Sequence, residues 1–396
     1  MGLLSGIRKN VLVLGAVSFL TDVSSEMIFP ILPVFLTSVL GVGTAIVGLI
    51  EGVADSASSL LDIFIGYASD KAGDRKKFVL FGYGLSSLTK VGIALANAWP
   101  QFLILRGMER VGKSIRTSPR DAIIAVSAEK GVRGKAFGLH RAMDTLGAIL
   151  GPAIAYVILS LLGSSEAGYR AVFWVALIPA FAAVIAIWLF VREPKQAAGK
   201  PTPGAKTKKA GFWEALRRLS PRYKKYLAAS VLFSLAYFSF ALLIVRATQA
   251  GISAQDILLL YILYNICYAA SSVPAGQLSD RIGRRPVIIA SFFLYAAVLA
   301  GFRFASTLWQ FALLFAVYGI FVSADESVNK AYISDLAREK ERGTALGAYS
   351  TAIGAAYLPA SVAFGALWAV WGTVPAFCAA ALVAATAGVA MALYAK

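Results

Sequence analysis

The sequence predicts an all-α membrane protein of twelve transmembrane helices in two pseudo-symmetric six-helix bundles, with N and C termini cytoplasmic. Composition, charge placement and an internal repeat predict it. Of 396 residues, 58% are hydrophobic and 15% charged, and the mean hydropathy is +0.71, whereas a soluble domain carries roughly 25% charged residues. Apolar stretches of about 18 residues or more recur along the whole chain, and no water-exposed fold could cover that much apolar surface. Of the 38 Lys and Arg, 27 fall in Arg8–Lys9, Lys71–Lys77, Lys130–Lys135, Arg192–Lys225, Arg281–Arg285, Arg338–Arg342 and Lys396. These are alternate loops, so the positive-inside rule places them, and both ends, in the cytoplasm. The net charge of +17 is therefore a topology signal and gives no reason to expect a nucleic-acid partner.

Helical spans are expected near 11–40, 46–69, 77–96, 100–126, 136–162 and 170–191, then near 226–246, 255–276, 286–304, 308–333, 344–367 and 373–394. The first run follows Arg8 and Lys9 as a leader would, yet continues through Asp22 and Glu26 without a small-residue cleavage site, and reads as a retained span. Residues 192–225, rich in Lys, Pro, Gly and Ala, read as a solvated cytoplasmic linker between bundles 1–191 and 226–396. Cys267 and Cys378 lie far apart in apolar runs and suggest no disulfide, and one histidine, His140, cannot build a His/Cys metal cluster. No cofactor and no metal are expected.

The repeat is specific. Gly66-Tyr-Ala-Ser69-Asp70-Lys71-Ala-Gly73-Asp-Arg75 matches Gly276-Gln-Leu-Ser279-Asp280-Arg281-Ile-Gly283-Arg-Arg285 at an offset of 210. Arg133-Gly134-Lys-Ala136-Phe-Gly138 matches Arg342-Gly343-Thr-Ala345-Leu-Gly347, and Gln101-Phe102 matches Gln310-Phe311, at 209. Equal span counts before each motif give a parallel repeat, and such repeats place a path between the halves near the midplane.

These two Gly-x-x-x-Asp-(Arg/Lys)-x-Gly loops resemble the signature loop of the major facilitator superfamily, and the resemblance covers essentially the whole chain. The first copy departs from the pattern with Lys71 in place of arginine and Asp74 before the basic run. The resemblance implies a permease whose loops latch the cytoplasmic side, with Asp70, Arg75, Asp121, Asp280, Arg281 and Arg285 as gate residues, and Asp121 paired with Arg75 or Arg120. The run from Arg106 to Asp121 resembles the family's fourth-span arginine motif, with Arg106 or Arg110 as the counterpart and a tie to proton relay. Gly147-Ala-Ile-Leu-Gly151-Pro152 is similar to the fifth-span motif of the family's exporters, although Ala155 replaces the final glycine.

Ionisable groups inside spans are costly and mark a protected interior. The first half holds Asp22 and Glu26, four apart on one face, then Glu51, Asp55 and Asp62, Lys90, a ridge of Arg106, Arg110, Lys113 and Arg120 beside Glu109 and Arg116, and finally His140, Arg141 and Asp144. The second half holds far fewer, with Asn265, Asp325, Glu326, Asn329 and Lys330. A wet, charged cavity in the first bundle is expected. Pro30 and Pro33 after the Asp22–Glu26 pair should kink the first span. A carboxylate in a poorly solvated site binds its proton more tightly, and a nearby cation reverses this. Asp22 and Glu26, then Asp55 and Asp144, are the candidates for proton coupling. Glu51, Arg106, Arg110, Lys113, His140, Arg141, Tyr264 and Asn265 are the candidates for substrate binding, with guanidinium suited to an anionic group. Tyr237, Phe238, Tyr261, Tyr268, Tyr318 and Tyr357 read mainly as packing.

Together these imply secondary active transport by alternating access, proton-coupled, of a small charged or amphipathic solute. Efflux by antiport is favoured, and symport import of an organic anion or metal chelate is the alternative. No phosphate-binding Gly-x-x-x-x-Gly-Lys-(Ser/Thr) loop supplies an ATPase motor. A receptor would need a signalling domain or long tail, and an enzyme a catalytic signature; neither is seen, and no enzyme is expected. The partners expected are the solute, protons and membrane lipid, for a monomer spanning the plasma (inner) membrane many times.

Overall fold

The computed structural model describes residues 8–72, 74–128, 132–193, 219–338 and 342–394. Within them the first set of helices is α1 (Lys9–Ile28), α2 (Leu32–Ser38), α3 (Thr44–Ala72), α4 (Arg75–Leu95), α5 (Trp99–Ser127), α6 (Arg133–Leu162), α7 (Glu166–Val175) and α8 (Leu177–Phe190). The second is α9 (Pro221–Ser234), α10 (Phe240–Gln249), α11 (Ala254–Ile282), α12 (Arg284–Phe304), α13 (Leu308–Leu336), α14 (Arg342–Trp371) and α15 (Thr373–Tyr394). Nine helical stretches of the described residues are long and apolar enough to cross a membrane. Helices α3 and α5 have 29 residues each, about 43 Å at the helical rise; α5 carries too many charges to count among the nine.

The repeat is written in the helix boundaries. Shifting α4, α5 and α6 by 209 residues gives the bounds of α12, α13 and α14, and shifting α3 by 210 gives α11. The same cap recurs: Gln101 Oε1 accepts from the Asn97 and Ala98 amides at 2.8 and 3.1 Å, and Gln310 Oε1 from Ser306 and Thr307 at 2.8 and 3.1 Å. Each glutamine reaches back to satisfy amides that the helix start leaves unpaired.

Three spans are broken. Residues 29–31 turn between α1 and α2, where Pro30 denies the helix a donor and Pro33 opens the next one, as the prolines predict. The chain turns again at Ala176, three residues before Pro179. The break between α9 and α10, inside a stretch expected as continuous helix over 226–246, has no proline or glycine to announce it. Its backbone is satisfied instead by neighbours: Ser239 N donates to Ser361 Oγ at 3.0 Å, and Tyr295 OH donates to the Ala236 carbonyl at 3.1 Å. Irregular backbone at membrane depth is tolerated where it lines a cavity. Helix α9 starts at Pro221, inside the expected linker, and residues 194–218 of that linker lie outside the described residues.

The two sets meet mainly along two seams, α3 against α14 and α6 against α11, with α10 also touching α2 and α3. On the first, a Cβ at Gly48 would lie 2.3 Å from the Ser361 carbonyl oxygen, so only glycine lets these backbones touch. Uncharged bonds cross it: Ser56 Oγ donates to the Gly354 carbonyl at 2.7 Å and accepts from Leu358 N at 2.9 Å, and Thr44 Oγ1 donates to the Gly365 carbonyl at 3.0 Å. On the second seam Ser164 Oγ donates to Gln255 Oε1 at 2.8 Å. Thr44 and Ser164 stand at the ends of their helices remote from Asp70 and Arg133, so the sets are closed at that end. Large apolar side chains such as Leu161, Ile178, Phe304 and Trp309 point outward, where lipid, not water, can cover them.

Candidate functional site

A cavity of about 540 Å³ lies between the two sets. Its first wall carries ions: Asp22 and Glu26 of α1, Asp55 of α3, Arg110 and Lys113 of α5, and Arg141 and Asp144 of α6. Its second wall is aromatic: Tyr237 and Phe238 at the α9–α10 break, Phe240 of α10, Tyr261, Tyr264 and Tyr268 of α11, Tyr318 of α13 and Tyr357 of α14, with Asn265 and Glu326 among them. The Arg141 and Glu326 side chains, although mid-helix, are 60% and 53% exposed. The cavity thus opens toward the end that carries residues 133 and 336.

Local sequence explains how α1 comes to face this space. A Cβ at Gly147 would lie 2.7 Å from the Phe19 carbonyl oxygen and 2.9 Å from Asp22 Cβ, and one at Gly151 would lie 2.6 Å from the Val23 carbonyl oxygen. The two glycines, one turn apart, let α6 lie directly on the backbone of α1 beside its two carboxylates. Asp144, one turn before Gly147, joins them in the cavity and faces His140 Nδ1 at 3.4 Å.

Polar contacts cross the cavity, among them Asn265 Nδ2 donating to the Ala148 carbonyl at 3.4 Å. Tyr261 OH donates to Glu26 Oε2 at 2.5 Å, joining α11 to α1. Arg141 Nη2 donates to Tyr268 OH, which donates to Glu326 Oε2 at 2.7 Å. On the first wall Arg110 Nη2 pairs with Asp55 at 3.3 Å. The Lys113 side chain is exposed to the cavity, and among the described residues it has no ion-pair partner.

Glu51 and Arg106, expected in the substrate site, are placed differently. Arg106 Nε and Nη2 donate to the two oxygens of Glu51 at 2.9 and 2.7 Å, and Nη1 donates to Glu109. All three residues are buried, and none lines the large cavity. This knot holds α3 to α5 behind the ionic wall, because a buried guanidinium demands acceptors at its whole fork. His140 is also buried and touches the site only through Asp144. Of the other candidates, Arg110, Lys113, Arg141, Tyr264 and Asn265 line the cavity, and so do Asp22, Glu26, Asp55 and Asp144.

The family model of the Major Facilitator Superfamily matches residues 14–253 and 240–396. The chain belongs to that superfamily. It is 40% identical over 368 residues to an uncharacterized MFS-type transporter of Methanocaldococcus jannaschii, covering 91% of this chain and 89% of the relative. It is 27% identical to the fosmidomycin resistance protein of Escherichia coli, covering 83% and 80%. Among solved structures the fold is similar to the nucleoside transporter NupG, with a TM-score of 0.80, 14% identity and coverage of 98% and 100%. A peptide transporter of the POT family gives 0.78, 12% identity and coverage of 97% and 93%. The protein is a multi-pass transporter of the plasma membrane.

The superfamily loops are placed as follows. Asp70 is in α3, with its side chain outside the described residues. Arg120 and Asp121 pair with each other at 3.0 Å. Asp280 at the end of α11 faces Arg284 at 3.6 Å, and Arg284 Nε also binds Asp335 of α13. Arg285 donates to the carbonyls of Met391 and Ala392 at the end of α15, where unpaired carbonyls suit a cation. Arg281 is exposed, and Arg75 begins α4. The second loop thus ties α11, α12, α13 and α15 together within one half of the superfamily fold.

Sequence reading missed Arg284, the centre of that tie, although it stands inside the repeated motif. It also read as packing the tyrosines of the second wall other than Tyr264; Tyr261, Tyr264 and Tyr268 recur at 3–4 spacing, but that period marks a face without saying what it faces. Glu326 was noted only as a rare charge.

Proposed function

We propose that this superfamily member exports a small, charged or amphipathic solute in exchange for protons, by alternating access of two six-helix bundles whose termini are cytoplasmic. The observation that carries this reading is the pair Asp22–Glu26 on the cavity wall, with Glu26 bonded to Tyr261 of the opposite set. Twelve spans follow if α3, α5 and the broken pair α9–α10 are added to the nine apolar stretches. With the basic loops cytoplasmic, the open end of the cavity faces inward.

The coupling step is local. An ionised Glu26 accepts a charge-assisted hydrogen bond from Tyr261, stronger than one between neutral groups. A proton on Glu26 weakens that tie between bundles, and a proton on Asp22 removes a charge beside Asp144. Proton loading therefore alters how firmly α1 holds α11, and the glycine contacts at 147 and 151 pass any shift of α1 to α6. The solute meets Lys113 and Arg110 on one side and tyrosine faces on the other, a surface for an anionic or mixed-charge headgroup beside an apolar or aromatic body. Efflux is supported by relatives named for resistance, the fosmidomycin resistance protein and multidrug resistance protein MdtG of Enterobacter lignolyticus, 26% identical over 332 residues.

The test is reconstitution in liposomes holding a pH-sensitive dye, with candidate solutes supplied by class. Solute movement against proton movement is expected for one class, lost in Asp22→Asn or Glu26→Gln. Co-directional movement would establish symport instead, and unchanged coupled flux in both variants would remove these carboxylates from the mechanism.

A further inference from the structure

Behind the ionic wall lies a second, smaller chamber of about 50 Å³, between α1, α4 and α5. Asp22 and Glu26 face it from one side, Arg110, Lys113 and Arg116 from the other, with the paired Arg106 and Glu109 also on the α5 wall and Ser86 at its α4 edge. Arg116 is only 7% exposed. Its Nε and Nη1, and the Nε of Arg110, are buried and have no acceptor among the described residues. The ring of Tyr83 lies 4.2 Å from the Arg116 guanidinium carbon; it supplies a cation–π contact but no acceptor in line with those donors. Buried donors of this kind are almost always satisfied, and leaving a guanidinium edge bare in the interior is costly.

The neighbouring carboxylates do not satisfy it. Glu51 and Glu109 are engaged by Arg106, and Asp55 by Arg110 Nη2. Asp144 of α6 faces His140, and Tyr261 of α11 already donates to Glu26. On α4, Lys90 Nζ, fully buried, donates to Ser24 and Ser25 hydroxyls at 2.7 and 3.0 Å. That leaves Asp22 and Glu26 as the negative groups facing the chamber beyond those already paired. When both are ionised they balance its cations. When both carry protons, as the proposed coupling requires, Arg116, Lys113 and the Nε edge of Arg110 face the chamber with no carboxylate beyond Glu109, which Arg106 already holds.

We propose that this chamber binds a small monovalent inorganic anion of the halide class, held by Arg116, the Nε of Arg110 and Lys113, and occupied when Asp22 and Glu26 are protonated. The volume sets the class: a water needs roughly 10–15 Å³ of such space, so the chamber holds a few waters or one halide, not an organic anion. Two guanidinium edges and an ammonium give a sphere of charge several donors without demanding a planar fork. Ionised Asp22 and Glu26 repel an anion at this range, so halide and protons load together and leave together. Only this pH dependence rests on the proton-coupled reading; the site itself rests on the bare buried donors.

The test uses the full chain, purified into lipid nanodiscs, with bromide against gluconate as the sodium salt. In mildly acid buffer bromide should raise the unfolding midpoint by a few degrees in a saturable way, and in mildly alkaline buffer it should not. Crystals soaked in bromide should show an anomalous peak among Arg110, Lys113 and Arg116. Arg116→Gln should abolish the saturable rise; if that variant does not fold, Lys113→Gln weakens it instead. The double variant Asp22→Asn, Glu26→Gln should bind bromide equally in both buffers. No saturable bromide effect in either buffer, or bromide only on the exposed basic loops, overturns the site. Bromide bound in the chamber while the double variant keeps coupled proton flux would leave the site standing and remove the coupling reading. Flux lost without bromide binding would do the reverse.

Discussion

Helices α5 and α13 are the same element used twice, with equal bounds at an offset of 209 and the same glutamine cap, yet they carry opposite chemistry. Where α5 has Arg106, Glu109, Arg110 and Lys113, α13 has Phe315, Tyr318, Gly319 and Val322. In the first set these positions make an ionic wall and the knot behind it; in the second, Phe315 packs edge-on and Tyr318 tilted against Phe240, each with ring centroids 5.4 Å away. The backbone repeat fixes where side chains point, and the two halves have divided the work at those points. One holds charges that can exchange protons, and the other offers ring faces that do not change charge near neutral pH.

The largest test of this division is the knot. Arg106→Met leaves Glu51 and Glu109 buried without their cation and should cost about 3–5 kcal/mol in unfolding free energy, whereas adding Glu51→Gln and Glu109→Gln to it should recover much of the loss. If Arg106→Met alone is neutral by thermal unfolding in detergent, the ionic half is not built on this pair. Next is Tyr261→Phe, which removes the bond to Glu26 and so about 1.5–3 kcal/mol of the tie between halves; cysteine accessibility should report a roughly 10- to 100-fold shift from the proposed inward-open state. Gly151→Ala forces α6 off the backbone of α1 and should cost about 1–3 kcal/mol, while the repeat-related Ala360 is already alanine, and Ala360→Gly should cost about 0.5–1 kcal/mol. The shared cap predicts symmetry: Gln101→Ala and Gln310→Ala should each lose roughly 0.5–2 kcal/mol, and clearly unequal losses would break the equivalence of the two helices.

The smallest effect lies at the starts of α4 and α12. Asp74 caps α4 by accepting from the Lys77 amide at 3.2 Å, and the Lys77 ammonium at 2.8 Å holds its carboxyl below the ordinary 3.8. A lowered folded-state value means that the contribution is present above 3.8 and disappears as the pH falls through the lowered value. The partner position is Gly283, with φ 91° and no side-chain cap. Asp74→Gly should therefore remove a slight acid-side loss of stability, seen in unfolding midpoints below the usual carboxylate range, and Gly283→Asp should not create one.

Fold class was legible because lipid imposes a strong rule on composition and because the repeat survives in residues whose roles are geometric. Gly66, Asp70, Gln101 and Arg133 have visible partners at fixed offsets, and the helix boundaries follow them. The ionic wall was legible as well, since a charge inside an apolar span needs a reason. What sequence could not say is which charges face water. Arg106 and Arg110 are one turn apart on the same helix, but one is sealed between two glutamates and the other lines the cavity, a difference set by Glu51 on α3. The break at residues 235–239 was invisible for a similar reason, because its backbone is held by Ser361 and Tyr295, far off in the chain. The tyrosine wall beyond Tyr264 escaped because a ring packed on a ring and a ring facing a void share one periodicity.

The seam of Gly48, Ser56, Thr44, Gly354 and Gly365 is made of hydroxyls and peptide groups alone. Breaking these contacts themselves separates no ion pair. In the proposed alternating access, membrane voltage, worth about 2.3 kcal/mol per unit charge per 100 mV, therefore acts on the charged cavity and whatever it carries rather than on these uncharged contacts.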